Sequence, residues 1–144
     1  MRIVIPKRLG FRGAGLGNEV TPWAKAFLAA EATGARSLSP AWGMNARGYR
    51  KFFRTSRFDW LWRLALDKLL PSIEFTEADY RATGEDDFGL AFKLWATDRG
   101  LLDRKHWIVK VGGLWGGRWA HRRAQPFLQA KLSATRYTQE NLAD

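Results

Sequence analysis

The 144-residue sequence contains no cysteine and only two histidines, His106 and His121. The lack of cysteine excludes a disulfide framework, a thiol nucleophile and cysteine-ligated zinc, and two histidines are too few for a histidine-rich metal site. Long apolar runs are missing as well, since residues 1–6 are too short for a signal segment and residues 60–70 carry three charges. We therefore expect a metal-free protein of the cytoplasm, either free or peripheral to the inner face of the membrane.

Acidic residues are scarce beside basic ones, with 14 Asp and Glu against 24 Lys and Arg and a net charge of +10. A hydrophobic content of 46% and eight tryptophans argue against disorder. The charge indicates an anionic partner: a nucleic acid, a phosphorylated small molecule or an acidic membrane surface. It gathers in residues 47–63 and 99–123, on either side of an acidic band at 74–87.

Short apolar runs alternate along the chain with stretches of helical periodicity. The runs predict strands at 3–5, 36–39, 72–76 and 107–111. The periodic stretches predict helices from an N-cap at Asn18 to a stop at Gly34, and at 57–70, 88–99 and 125–132. Strands that alternate with helices imply right-handed βαβ crossovers. The sequence therefore predicts one Rossmann-like, three-layer α/β domain with a mainly parallel sheet over residues 1–132, followed by a polar tail at 133–144.

Three details of the helices follow from residue types. Pro22 is expected in the first turn of the first helix, where its missing amide has no intrahelical role. Asp87 is expected to cap the helix at 88–99, although the acidic run 85–87 could instead supply a general base or metal ligands. In the helix at 57–70, the apolar residues that share one face are expected to pack on the core: Leu61, Leu64, Ala65 and Leu69.

A glycine-rich segment, Gly13-Ala14-Gly15-Leu16-Gly17-Asn18, joins the first strand to the first helix. Glycines let a ligand approach the backbone closely, and the start of the helix offers free amides and partial positive charge. The alternative is a tight turn in which glycine only relieves steric crowding. Two nucleotide fingerprints fail here, because Asn18 replaces the third glycine of G-x-G-x-x-G and no Lys-Ser/Thr pair follows the segment.

Gly15-Leu16-Gly17-Asn18, between a short strand and an aromatic helix, resembles the G-G-x-G-N-Q motif of GT-B fucosyltransferase-type enzymes, the α-1,2-fucosyltransferases and protein O-fucosyltransferases. Here Ala14 replaces one glycine of the pair and Glu19 replaces the glutamine. The resemblance covers residues 3–39. It implies one half of a GT-B architecture, with Gly15, Gly17 and Asn18 in the cleft between two domains.

The resemblance implies inverting transfer from a nucleotide sugar, GDP-fucose in this family, to a glycan or other hydroxyl acceptor without a metal cofactor. Such transfer needs a base for the acceptor and cations for the leaving diphosphate, and no base is assigned here. The family's second domain carries an H-x-R-x-G-D motif, whereas the segment 121–126 has the histidine and arginine without the glycine and aspartate. We therefore expect an N-terminal, acceptor-side half that is inactive or weakly active without a donor domain, which a longer gene product or another chain would supply.

The segment 47–63 interleaves basic residues with six aromatic ones. This pattern suits either single-stranded nucleic acid or a phosphorylated sugar, and the alternative is a set of core aromatics with solvated arginines. The candidate substrate-binding residues are Gly13, Gly15, Gly17, Asn18, Trp42, Arg47 and Trp115, the last as a sugar platform in a second glycine-rich segment at 112–117.

Two other functions remain open at the level of sequence. The first is a non-enzymatic basic module that binds nucleic acid or another polyanion, which the lack of a recognisable nucleic-acid motif disfavours. The second is a small interaction domain whose charge serves only solubility.

Overall fold

The computed structural model describes residues 1–7, 16–40, 57–112 and 122–133. Four strands form one sheet in which every neighbouring pair is parallel. The strands are β1 (Arg2–Pro6), β2 (Arg36–Ser37), β3 (Ile73–Phe75) and β4 (Trp107–Val111), in the spatial order β2-β1-β4-β3. The parallel sheet and its alternation with helices confirm the predicted Rossmann-like α/β class.

Five α-helices surround the sheet in the described part of the chain. They are α1 (Leu16–Thr33), α2 (Arg57–Leu69), α3 (Glu77–Ala82), α4 (Phe88–Asp98) and α5 (Gln125–Ser133). Two 3-10 turns, Leu101–Asp103 and Arg122–Ala124, precede β4 and α5. None of these helices combines the length and the hydropathy that crossing a bilayer requires.

The strands place alternate side chains on opposite faces of the sheet. One face carries Val4 and Val109 in a cluster with residues of α1 and α4, including Ala29 and Phe92. The other face carries Ile3, Ile5 and Ile108, which form a smaller cluster with Leu38 and Leu66 of α2. We call these the α1/α4 face and the α2 face.

The three strand-to-strand connections share one hand. The steps from β1 to β2 and from β3 to β4 move across the sheet in the same direction, and both run over the α1/α4 face. The step from β2 to β3 moves in the opposite direction and runs over the α2 face. A common hand is what the strong preference for right-handed βαβ crossovers requires.

Several element ends match the signals in the sequence. Gly34 and Gly100 follow α1 and α4 with φ near +68°, a left-handed conformation that glycine adopts without a steric penalty. Asp87 caps α4, its carboxylate accepting a hydrogen bond from the Leu90 amide at 3.0 Å. Pro71 follows the end of α2.

Helix α1 begins earlier than predicted. It starts at Leu16, so Asn18 is its third residue rather than its N-cap, and Pro22 is its seventh residue rather than part of the first turn. Helix propensity does not explain the earlier start, because this start places Gly17 inside the helix. Pro22 removes one backbone hydrogen bond from the ladder, and burial of its ring in the core offsets part of that loss.

The apolar face predicted for α2 was wrong in its orientation. Leu61 and Leu69 are 51% and 78% exposed, whereas Leu66 is 1% exposed. Leu64 and Ala65 are half-buried. Helical periodicity gives the relative positions of these residues, but contact of Leu66 with the sheet decides which side faces inward.

Helix α3 was not predicted, because the density of acidic residues around it suggests a loop. Thr76 and Asp79 form a capping box at its start: the Asp79 amide donates to the Thr76 hydroxyl at 3.2 Å, and the Thr76 amide donates to the Asp79 carboxylate at 2.9 Å. The spacing of threonine and aspartate is visible in the sequence.

Candidate functional site

The sequence candidates belong to segments that leave three adjacent strands at one edge of the sheet. Lys7, Pro40 and Gly112 are the last described residues after β1, β2 and β4, and all three follow the carboxyl ends of their strands. Since the strands are parallel, these carboxyl ends form one edge. The segments 8–15, 41–56 and 113–121 therefore all begin at what we call the carboxyl edge.

Two of the candidates lie in the first turn of α1. Gly17 and Asn18 are its second and third residues, at the end of the helix where backbone amides lack intrahelical acceptors. The helix macrodipole places partial positive charge at the same end. The remaining candidates lie outside the described residues: Gly13, Gly15, Trp42, Arg47 and Trp115.

The carboxyl edge has a topological switch point between β1 and β2. The chain leaving β1 enters α1 on one face of the sheet, and the chain leaving β2 leads to α2 on the other. Arg63 of α2 donates a hydrogen bond to the Ser39 carbonyl at 2.9 Å, which ties α2 to the chain leaving β2. In open parallel sheets, ligands bind in the crevice at such a point. The segments 8–15 and 41–56 begin on its two sides.

Strands β1 and β4 approach closely at the same edge. The Lys7 amide donates to the Val111 carbonyl at 2.6 Å. A Cβ atom added at Gly112 would lie 2.7 Å from the Lys7 Cβ and 3.3 Å from the Lys7 carbonyl oxygen. Any larger residue at this position would push the strand ends apart, so the first glycine of the segment 112–117 has a steric role.

Three charged residues at the carboxyl edge were missed by the sequence analysis. The Lys7 ammonium and the Glu74 carboxylate form an ion pair at 2.6 Å, with about half of each side chain exposed. Lys110 lies beside Glu74 in the β3–β4 register. Alternation places all three on the α2 face, since Lys7 is two residues beyond Ile5, and Glu74 and Lys110 lie between residues that pack on the α1/α4 face. The same alternation could have found them.

Lys25, on α1, is buried in the α1/α4 face. Its side chain is 0% exposed, and its ammonium lies 5.6 Å from the centre of the Phe88 ring. Burial lowers its pKa from 10.5 to about 8, and attraction to Glu77 opposes that shift. Complete burial removes Lys25 from contact with any ligand at the carboxyl edge.

The acidic run 85–87 serves local structure. Asp87 caps α4, and the Glu85 carboxylate accepts a hydrogen bond from the Asp87 amide at 3.2 Å. The Tyr80 hydroxyl donates to the Asp86 carbonyl at 2.5 Å. Burial and the neighbouring carboxylates, first that of Asp86, raise the pKa of Tyr80. These contacts support the capping interpretation of the acidic run.

The histidines do not join the carboxyl edge in the described residues. His106 precedes β4 at the opposite, amino edge, where its Nδ1 contacts the Met1 amino group. It lines a cavity of about 450 Å³ with Leu70 and Trp107, among other residues. His121 lies outside the described residues. Within the described ranges, no three histidine or acidic side chains lie close enough together to hold a metal ion.

Comparison of the chain with protein-family models, with curated proteins and with solved structures finds no match.

Proposed function

We propose that this chain is the N-terminal, acceptor-side half of a glycosyltransferase similar to the GT-B fucosyltransferases. One observation carries the proposal: the segment bearing Gly15-Leu16-Gly17-Asn18 connects the carboxyl end of β1 to the start of α1, beside the switch point between β1 and β2. That is where an open parallel sheet binds ligands, and where a helix start favours an anionic group.

The chain's own residues suit an anionic ligand at this edge. The first backbone amides of α1, including those of Gly17 and Asn18, have no acceptor within the helix and can donate to a ligand. On the α2 face of this edge, the described residues include the ammonium groups of Lys7 and Lys110 beside the carboxylate of Glu74. Positive charge fixed before the reaction stabilises the developing diphosphate of a nucleotide sugar. Gly13 and Gly15 would permit close approach, Arg47 would add charge, and Trp42 and Trp115 would stack on a sugar.

The reaction is inverting transfer of a sugar, with GDP-fucose as the donor, to a glycan or other hydroxyl acceptor. The donor is a substrate, and neither a metal nor another cofactor takes part. A second domain or chain completes the donor site and with it the activity. The proposed place of action is the cytoplasm, including the inner face of the membrane.

Since the proposal gives the carboxyl edge part of the donor site, titration of the chain with GDP-fucose, followed through backbone amide signals in NMR, tests it. We expect saturable shifts that concentrate at Lys7, Gly17, Asn18 and Gly112. The double variant Lys7→Met/Lys110→Met is expected to weaken binding by about tenfold or more, because each ammonium contributes a charge-assisted contact. The matched control Lys105→Met removes an exposed lysine from the opposite edge and is expected to bind as the parent does.

Two results of these experiments would contradict the proposal or favour another function. Absence of saturable shifts, or shifts confined to the amino edge, would contradict the proposal. Binding of random single-stranded DNA with a steep dependence on salt, and no response to GDP-fucose, would favour a basic polyanion-binding module instead.

A further inference from the structure

Helix α2 carries an exposed apolar stripe along its length. Phe58 is 85% exposed, Leu61 51%, Trp62 54% and Leu69 78%. These positions recur at the helical spacing i, i+3, i+4 and i+11, so they share one side of α2. Leu70, 44% exposed, extends the apolar surface past the end of the helix. Several large apolar side chains exposed on one side of a helix indicate an interaction surface.

The stripe borders the contact that holds α2 to the sheet, since Leu66 comes four residues after Trp62. Leu66 is the residue of α2 in the cluster on the α2 face, and it is 1% exposed. Arg63 also anchors the helix, through its hydrogen bond to the Ser39 carbonyl. The exposed side chains are therefore available to a partner while α2 stays docked on the sheet.

The sequence around the stripe is strongly basic. Residues 47–68 contain seven lysines and arginines against two aspartates, which is half of the net charge of the whole chain. Lys68 is exposed on α2 itself. The partner of this surface must therefore accept apolar and aromatic side chains and also offer negative charge.

We propose that α2 docks on the surface of an anionic lipid bilayer, with its axis in the plane of the membrane and the stripe in the headgroup region. A helix with exposed phenylalanine, tryptophan and leucine on one side and neighbouring cations is the type that binds such interfaces. Tryptophan is enriched at that depth, because its ring is apolar and its N–H is polar. At 13 residues, about 20 Å long, α2 lies on the surface and does not cross it.

Charge decides between a lipid surface and a second copy of the chain. Two copies paired through α2 would bring together two helices that each contain more lysine and arginine than aspartate, and their repulsion would oppose the apolar contact. An anionic bilayer can bury the apolar side chains of the stripe and also attract the positive charge. The inference does not depend on the proposed transferase activity, since none of the apolar residues of the stripe belongs to the candidate site and Arg47 is the one candidate in the basic sequence 47–68.

Flotation of the chain with lipid vesicles tests the proposal. We expect strong binding to phosphatidylcholine vesicles that contain phosphatidylglycerol, weak binding to phosphatidylcholine alone, and release at high salt. The variant Phe58→Ser/Trp62→Ser is expected to lower binding by at least about tenfold, since apolar burial supplies much of the affinity. Both side chains are more than half exposed, so the variant should retain the parent melting temperature.

A matched control comes from α4. Leu90 and Leu94 are 40% and 48% exposed, one helical turn apart, on the other face of the sheet. The variant Leu90→Ser/Leu94→Ser is expected to bind vesicles as the parent does. Equal loss in both variants, or equal binding to charged and neutral vesicles, would contradict the proposal. Sedimentation equilibrium showing a dimer that Phe58→Ser/Trp62→Ser abolishes, without vesicle binding by the parent, would assign the stripe to a second copy.

Discussion

Among the described residues, the α1/α4 face of the sheet buries eighteen side chains in one cluster, whereas the α2 face buries five. The larger cluster is rich in aromatic rings, and Phe75 lies at its centre, with ring centroids of Phe88, Phe92 and Trp95 between 4.9 and 5.4 Å away. The smaller cluster is aliphatic. Within the described residues, the two faces therefore differ in the size of their clusters and in the chemistry of the side chains, aromatic on one face and aliphatic on the other.

The α2 face carries the groups that point to binding. The exposed stripe of α2 lies over it, and Lys7, Glu74 and Lys110 occupy its carboxyl edge. Half-exposed side chains such as Lys7 and Glu74 lose less on substitution than the buried rings of the α1/α4 face. We expect substitutions on the two faces to differ accordingly.

The largest loss of stability is expected from Phe75→Ala. Its ring contacts three other aromatic residues in the α1/α4 face and is 1% exposed. The cavity and the lost transfer energy should lower the free energy of unfolding by about 4 kcal/mol. Urea denaturation followed by circular dichroism measures this, and a loss below about 1 kcal/mol would show that the aromatic cluster is loosely packed.

Leu66→Ala is the corresponding truncation on the α2 face. Leu66 is equally buried, but its cluster has only five members, and the exposed helix above it can shift to close a cavity. We expect a loss of about 2–3 kcal/mol, at the low end for a buried leucine. The same urea experiment gives the value, and a loss equal to that of Phe75→Ala would remove the contrast between the faces.

Lys25→Met removes the charge that is buried in the α1/α4 face. Among the described residues, Lys25 is the one charged side chain that is fully buried. Its pKa is about 8 in the folded protein against an ordinary value of 10.5, so the unfolded chain binds more protons between these values. Above pH 10.5 Lys25 is neutral in both states and does not lower the free energy of unfolding. As the pH falls from 10.5 through 8, protonation favours the unfolded chain and the free energy of unfolding decreases. At pH 7, Lys25→Met should raise the free energy of unfolding by about 2 kcal/mol.

The gain from Lys25→Met should shrink steadily as the pH rises from 8 toward 10.5. Urea denaturation of the parent and the variant at several pH values measures the difference, in which other titrating groups cancel. Lys93→Met, which removes an exposed lysine from α4, is the control and should change stability little at any pH. A pH-independent difference would mean that burial does not perturb Lys25.

The smallest effect is expected from Asp87→Ala at the start of α4. Loss of the hydrogen bond from the Leu90 amide should cost about 1 kcal/mol. Asp87 also lies 3.4 Å from Arg123, whose side chain is 61% exposed, and that pair should contribute little. Arg123→Ala separates the contribution of the ion pair from that of the cap. In thermal melts, Asp87→Ala should lower the melting temperature, and Arg123→Ala should leave it almost unchanged.

Signals carried by single residues or short patterns predicted the fold well. The strand at Trp107–Val111 was predicted with the bounds it has, and Gly34, Pro71 and Gly100 marked the helix ends. Each of these signals depends on backbone conformations that neighbouring residues set among themselves. Helix α3 was not predicted although the spacing of Thr76 and Asp79 fits a capping box, because a high density of carboxylates is also typical of a solvated loop.

The candidate site was only partly predictable. The sequence singled out Gly17 and Asn18, and the structure places their backbone at the start of α1 on the carboxyl edge. It did not single out Lys7, Glu74 and Lys110, because they are far apart in sequence and only the register of β1, β4 and β3 brings them to one face. The candidates outside the described residues remain predictions.

The sequence by itself determined the α/β class, the glycine-rich connection after β1 and the excess of positive charge, because periodicity, backbone preference and charge are properties of short segments. Only the tertiary structure decided the strand order β2-β1-β4-β3 and the side of α2 that meets solvent. Both depend on contacts between residues distant in the chain, such as the packing of Leu66 with Ile3, Ile5 and Ile108, which the periodicity within α2 does not specify.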